Sequence, residues 1–376
     1  MALALDEPWR EWAAARRPAQ LLHVDTAAAG RSSSAVLAAV ARHMDDEATR
    51  GAYVAEADAS GVLDAGRAAV AELFSMPHDG VAFVESATAA LTALLAVWPF
   101  DDGDVVAVAP SEWGPNLTAL EHRGLHLRQL MVDGNGRIDV DALERSLAAD
   151  RPGMVHVTHM ASHRALDQPL SDIVAVCSRF DVPVWVDAAQ ALGHVDTASG
   201  ADVVYSTGRK WMTGPRGVGV LGVAEHHWDR LRTLRRPMAD GLPPIRNLES
   251  HEANVAGRVG LAAALRKHLE LGPHAVHRRL REVGRTTREC LADVPGWVLV
   301  DPADATGAIT AIRPTDGQDV MTARRRLLEQ HGVLTTAAAV ARAPLEMTEP
   351  LLRISPHVDL TEGMLAGLAA ALAAVR

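Results

Sequence analysis

VPVWVDAAQALGH (residues 182–194) and DVVYSTGRKWMTGPRGVGVLGV (residues 202–223) follow one another closely in the chain. Each contains a short run of β-branched and aromatic residues, PVWVD (183–187) and DVVYS (202–206), and the second stretch closes on a third run, VGVLGV (218–223). Runs of this length and composition predict buried strands. The first ends on an acid, Asp187, and the loop after the second carries Lys210. Taken singly, Asp187 reads as a strand-end turn residue and Lys210 as a surface lysine. Together they lie just beyond the ends of consecutive strands, where open α/β sheets collect ligands. They therefore read as opposite charges facing one cleft.

The same alternation extends upstream. VAFV (81–84), VVAVA (105–109), LHLRQLMV (125–132) and GMVHVT (153–158) are further strand candidates, separated by segments with helical spacing such as 61–75, AALTALLAV (89–97) and 170–180. Short strands alternating with helices predict an α/β fold with a mostly parallel, seven-stranded-type sheet covered on both faces. The pattern changes near residue 245. NVAGRVGLAAALRKHLELG (254–272) and the run that follows read as two long helices, and WVLV (297–300), GAITAIRP (307–314) and LLRIS (351–355) as strands of a smaller α+β unit. The expected organisation is a large domain over residues 1–245 and a small C-terminal domain over 246–376.

The Asp187–Lys210 pair suits pyridoxal phosphate. Its ring nitrogen needs a carboxylate partner to stay protonated, and its aldehyde needs a lysine amine for a Schiff base. A phosphate cradle is expected alongside. ESATAAL (85–91) lies between a strand and a helix, and the amides of Ala87 and Thr88 at that helix N-terminus are candidates for it.

PLSDI, VPVWVDAAQALGH and STGRKWMTGPRGVGVLG resemble the class V aminotransferase-like enzymes of pyridoxal-phosphate fold type I, which include the cysteine desulfurases. The resemblance runs from about residue 25 to the C-terminus. It implies that Lys210 is the Schiff-base and catalytic lysine, that Asp187 pairs with the ring nitrogen, and that Gln190 bonds the ring hydroxyl. Thr207 stands at the position of a phosphate-binding serine. Arg209 stands where desulfurases carry a histidine, and a guanidinium binds phosphate bidentately. Trp113, in SEWGPN, lies in the segment that supplies the ring-stacking aromatic. Arg353, in LLRIS, matches the arginine that grips the substrate α-carboxylate.

Desulfurases also carry a catalytic cysteine shortly before that arginine, and VLTTAAAVARAPLEMTEPLLRIS (333–355) has none. The chain has two cysteines, Cys177 and Cys290, both on predicted helices, which is neither a disulfide framework nor a thiol metal site. THMASHRALDQPL, the segment RGAYVAEADASGVLDAGR and ESHEANVAGRVGL resemble the actinobacterial C–S lyases of ergothioneine biosynthesis, which cleave hercynylcysteine sulfoxide. By that resemblance His163, Arg164 and Glu252 join Arg353 as substrate-binding candidates, with Glu252 or Trp113 facing the quaternary ammonium. A homodimer is implied as well. Other enzymes of the same fold, namely aminotransferases, kynureninase-like hydrolases and epimerases, stand as alternatives, as does a non-catalytic binding relative.

Composition narrows the partners. The formal net charge of -10 argues against nucleic acid or an anionic membrane. The N-terminus lacks a basic segment followed by an apolar run, and the alanine-rich C-terminal segment is too short to span a bilayer. The expectation is a cytoplasmic enzyme with a small-molecule substrate and no metal.

Overall fold

The computed structural model describes residues 5–232, 241–250 and 252–375. Its strands are β1 (Leu22–His23), β2 (Val81–Val84), β3 (Val105–Val108), β4 (His126–Gln129), β5 (Met154–Thr158), β6 (Val184–Asp187), β7 (Val203–Thr207), β8 (Gly219–Val223), β9 (Trp297–Leu299), β10 (Thr310–Pro314), β11 (Val333–Leu334), β12 (Thr336–Ala338) and β13 (Leu351–Ile354). The large sheet has seven strands in the order β2-β8-β7-β6-β5-β3-β4. All run parallel except β8, which is antiparallel to both neighbours. The connection from β7 to β8 is too short for a crossover helix, so β8 returns beside β7 and the loop with Lys210 stays at the sheet edge. The expected fold class is thus present.

Strands β2, β5, β6, β7 and β8 are buried along their whole length. They read as continuous apolar runs because helices cover both faces. On one face Val155, Val157, Val186 and Val204 pack with Leu261 and Leu265 of helix Val255–Leu271. On the other, Met154, Trp185, Tyr205 and Leu221 pack with Leu91, Leu94 and Leu120 of helices Ala87–Val97 and Gly114–His122. Strand order reverses at β3, whose successors β4 and β5 lie on opposite sides of it. The loops leaving β3 and β5 therefore part and open a crevice at the carboxyl edge of the sheet.

A second, four-stranded antiparallel sheet has the order β12-β13-β10-β9. Its core takes in Trp9 and Trp12 of the N-terminal helix Glu7–Ala14, and β1 pairs in parallel with β11. The N-terminal residues thus pack with the C-terminal unit before the chain enters the large sheet. Among the described residues no helix is long and apolar enough to cross a membrane.

Candidate active site

Three parallel strands deliver a side chain directly to the crevice, and two more do so through the turns that follow them. β6 ends on Asp187, β7 on Thr207 and β5 on Thr158, and the turns after β2 and β3 supply Ser86–Thr88 and Trp113. With Gln190, Arg209 and Lys210 these line one cleft of about 840 Å³ including its open mouth. The sequence-predicted cofactor residues Ala87, Thr88, Trp113, Asp187, Gln190, Thr207, Arg209 and Lys210 all border it.

The loop bearing Lys210 is pinned from behind. Gly30 N–H donates to the Arg209 carbonyl (2.8 Å), and a Cβ on Gly30 would lie 2.4 Å from the Lys210 carbonyl oxygen, so only glycine fits. Thr213 holds a left-handed φ of 54°, costly for a β-branched residue, and its hydroxyl accepts from Arg16 at 3.1 Å. Trp211 is fully buried, stacks on His194 and donates Nε1–H to Gln190 Oε1 at 2.9 Å. Gln190 in turn donates through Nε2 to the Ala27 carbonyl (2.9 Å). One hydrogen of its amide remains to meet a ligand.

Asp187 is buried and each of its oxygens has one donor: Ala189 N–H on Oδ1 and Asn116 Nδ2 on Oδ2, both at 2.8 Å. Burial raises its carboxyl, while the Lys210 charge and these two hydrogen bonds pull it back and Glu112 adds a push upward. Burial pushes the half-buried Lys210 ammonium down to about 7; Asp187 opposes this, and Arg209, Arg353 and Arg342 add to it.

Behind Asp187 lies a polar chain that sequence reasoning missed. Glu112, fully buried, accepts from Asn116 Nδ2 (3.0 Å), from Trp113 N–H (2.9 Å), from Thr158 N–H (3.1 Å) and from the Thr158 hydroxyl. His156 Nδ1 is 3.0 Å from Glu112 Oε2, and its Nε2 is 2.8 Å from the Tyr205 hydroxyl. Burial opposes charge on both partners. Their mutual attraction outweighs it, lowering Glu112 and raising His156, which makes an ion pair. Replacing His156 by Leu leaves a buried carboxylate without its cation. The expected loss is about 3–5 kcal/mol of unfolding free energy in urea titrations, and a loss below about 1 kcal/mol would show that Glu112 carries no charge there.

The residues fit pyridoxal phosphate. The Asp187 carboxylate, which would face a ring nitrogen, is held in place on both oxygens, and the Lys210 amine lies in the same cleft at reduced basicity. The first amides of helix Ala87–Val97 have no intrahelical acceptor and, with Thr207 and Arg209, present donors to a phosphate.

The substrate-binding candidates divide. Arg353 is fully buried behind the cleft. It donates Nη1 to the Ser162 carbonyl (2.6 Å) and Nη2 to Asp25 and Thr336 (3.3 Å each), which leaves Nε without a partner. His163 and Arg164 do not line the cleft. They turn to Glu346, His163 at 3.2 Å, and border a separate pocket with Val300 and Arg313. Glu252 is exposed and also lies outside the cleft. Asn116 and Arg342 line the cleft although sequence reasoning passed over both.

The class V aminotransferase model matches residues 22–355. A probable hercynylcysteine sulfoxide lyase of Mycobacterium tuberculosis (strain CDC 1551 / Oshkosh) is 47% identical over 366 residues, covering 96% of this chain and 92% of that protein. Among solved structures, a cysteine desulfurase from Escherichia coli superposes with a TM-score of 0.84 at 20% identity, covering 99% of both chains. A cystine C–S lyase in complex with its product cysteine persulfide gives 0.85 at 18% identity, covering 95% of this chain and 98% of that one. The latter two show a shared fold. With its family model spanning both sheets and its cleft built around Asp187 and Lys210, the chain belongs to the class V aminotransferase family of pyridoxal-phosphate enzymes.

Proposed function

We propose that this chain is a carbon–sulfur lyase that cleaves hercynylcysteine sulfoxide by β-elimination, yielding a sulfenic acid on the way to ergothioneine, with pyruvate and ammonia as co-products. One observation carries the reading: no cysteine lines the cleft. Cys177 is fully buried in the sheet core, where burial pushes its thiol up to about 12, and Cys290 lies on helix Pro273–Leu291. Without a thiol to attack sulfur, the substrate must bring a sulfur group able to leave, and a sulfoxide does so. The name of the 47%-identical relative supports this substrate.

When bound, pyridoxal phosphate supplies an aldehyde that joins the substrate amine and a cationic ring that accepts the electron pair left at Cα. Asp187, held by Asn116 and Ala189, keeps a negative charge against the ring nitrogen. Lys210, in the same cleft and of reduced basicity, would hold the cofactor and would serve as the base for the Cα proton. The Cβ–S bond then breaks with its electron pair going to sulfur. Arg353 keeps the α-carboxylate side of the substrate at the back of the cleft through its remaining Nε–H.

The test is to incubate purified enzyme with hercynylcysteine sulfoxide and a thiol and to follow pyruvate, ammonia and ergothioneine without an amino acceptor. Turnover that requires a keto acid would make the enzyme an aminotransferase. Release of sulfide or persulfide from plain cysteine at a comparable rate would make it a desulfurase.

A cytoplasmic homodimer and a role for Glu252 belong to the same proposal. Glu252 is outside its own cleft, so contact with the substrate's quaternary ammonium requires a second subunit. Glu252→Gln is expected to raise KM for hercynylcysteine sulfoxide about fivefold with little change in kcat, the loss of one exposed charge contact. An unchanged KM removes Glu252 from the site.

A further inference from the structure

We propose that Arg342 is a specificity-determining residue, binding a carboxylate carried by the sulfur-linked, departing part of the substrate. This rests on the lyase reading and adds a second anion subsite to it.

Arg342 ends the short 3-10 turn Val340–Arg342 in the segment between β12 and β13. This is the stretch in which the desulfurases it resembles carry their cysteine. Here it points a guanidinium at the cleft, which it lines with Trp113, Asn116 and Lys210. Its position is fixed by close packing. A Cβ on Gly114 would lie 2.1 Å from the Ala341 carbonyl oxygen and 3.2 Å from Pro344, so the turn rests directly on the backbone that follows Trp113. The guanidinium carbon lies 5.3 Å from the centre of the Trp113 ring. The aromatic face orients the cation while satisfying none of its N–H donors.

The charge around it is unbalanced. Among the described residues no carboxylate lies within ion-pair distance of Arg342, whereas Arg353 is paired with Asp25. Arg342, Arg353 and Arg209 all repel Lys210, and Asp25 and Asp187 are the acids set against this group. The phosphate answers to Arg209 and the helix N-terminus, and the α-carboxylate to Arg353. A half-buried guanidinium without a counter-ion remains over Trp113. A sulfur-linked group lying along the wall that Arg342 lines would meet it, and a planar fork of donors on an aromatic face suits a carboxylate. His163 and Arg164, the sequence-based candidates for a distal carboxylate, are engaged by Glu346.

The experiment compares two cysteine sulfoxides of similar size on the holoenzyme, S-(2-carboxyethyl)-L-cysteine sulfoxide and S-propyl-L-cysteine sulfoxide, by pyruvate release. Wild type is expected to favour the carboxylate by tenfold or more in kcat/KM. In Arg342→Gln the ratio is expected to fall to within about twofold of one. Arg342→Lys, which keeps the charge, is expected to retain an intermediate preference and controls for misfolding. A wild-type ratio near one, an unchanged ratio in Arg342→Gln, or equal losses on both substrates would overturn the proposal. If wild type cleaves neither sulfoxide but turns over hercynylcysteine sulfoxide, the lyase reading stands; if it turns over none of the three, that reading fails separately. The subsite is then read from binding of L-2-aminoadipate against L-norleucine through the visible absorption of the bound cofactor. A tenfold preference lost in Arg342→Gln supports it, and equal affinities overturn it.

Discussion

Lys210→Ala is expected to lower kcat/KM by about 10⁴-fold or more and to leave the cofactor removable by gel filtration. Two functions of one amine are lost together: the covalent tether and the base at Cα, the second alone being worth about 10²–10⁴. The depressed basicity of Lys210 bears on both. An amine whose ammonium lies near 7 is about half in its nucleophilic free-base form at neutral pH, whereas an ordinary lysine at 10.5 is almost wholly protonated. The chain supplies its own control, because it has only two lysines, and Lys267 is on the surface of helix Val255–Leu271. Cofactor-free protein treated with an amine-acylating reagent over a pH series is expected to label Lys210 half-maximally near pH 7. Mass spectrometry separates the two sites. Parallel pH profiles at both lysines, or an alanine variant within tenfold of wild type, would remove Lys210 from its role.

Asp187 and Lys210 are legible in sequence because strands announce themselves by composition and the chemistry lies at their ends. The turn proposed for the phosphate is legible for the same reason, since Ser86–Thr88 follows a strand and opens a helix. The chain of residues behind Asp187 is not. His156 and Tyr205 sit on β5 and β7, which are separated by β6, and their meeting depends on a strand order that periodicity does not specify. Within MVHVT, His156 reads as one polar break in an apolar run. Only the pleat turns it to the same face as Met154, toward Glu112. Arg342 is hidden in TTAAAVARAP, a stretch of small residues without a strand or helix signature. Its importance comes from Gly114, more than two hundred positions earlier, letting the two backbones touch. The pairing of β1 with β11 joins opposite ends of the chain and leaves no local trace at all. His163 and Arg164 show the converse case. They look like substrate ligands in sequence, and it takes Glu346 on a distant loop to turn them away.

Asp187→Asn is expected to lower kcat/KM by about 10³-fold while leaving the fold intact, which is the scale for removing one preorganised electrostatic stabiliser from a water-excluded site. The side chain keeps its size, but the charge proposed to hold a proton on the ring nitrogen is gone. One oxygen also becomes an amide nitrogen, which cannot accept from both Ala189 N–H and Asn116 Nδ2 as the carboxylate does. Asn116 is shared with Glu112, so the disturbance passes into the ion pair with His156. The absorption of the bound cofactor is expected to titrate at higher pH than in wild type, since a neutral ring nitrogen no longer repels positive charge nearby. Asn116→Ala keeps the carboxylate but frees its Oδ2 and is expected to give a smaller loss, about tenfold, consistent with one hydrogen bond to a charged acceptor. The order of the two variants is the discriminating result. If Asn116→Ala is as damaging as Asp187→Asn, the geometry of the network rather than the charge at Asp187 sets the rate. If Asp187→Asn is within tenfold of wild type with an unshifted cofactor titration, the carboxylate does not face the ring nitrogen.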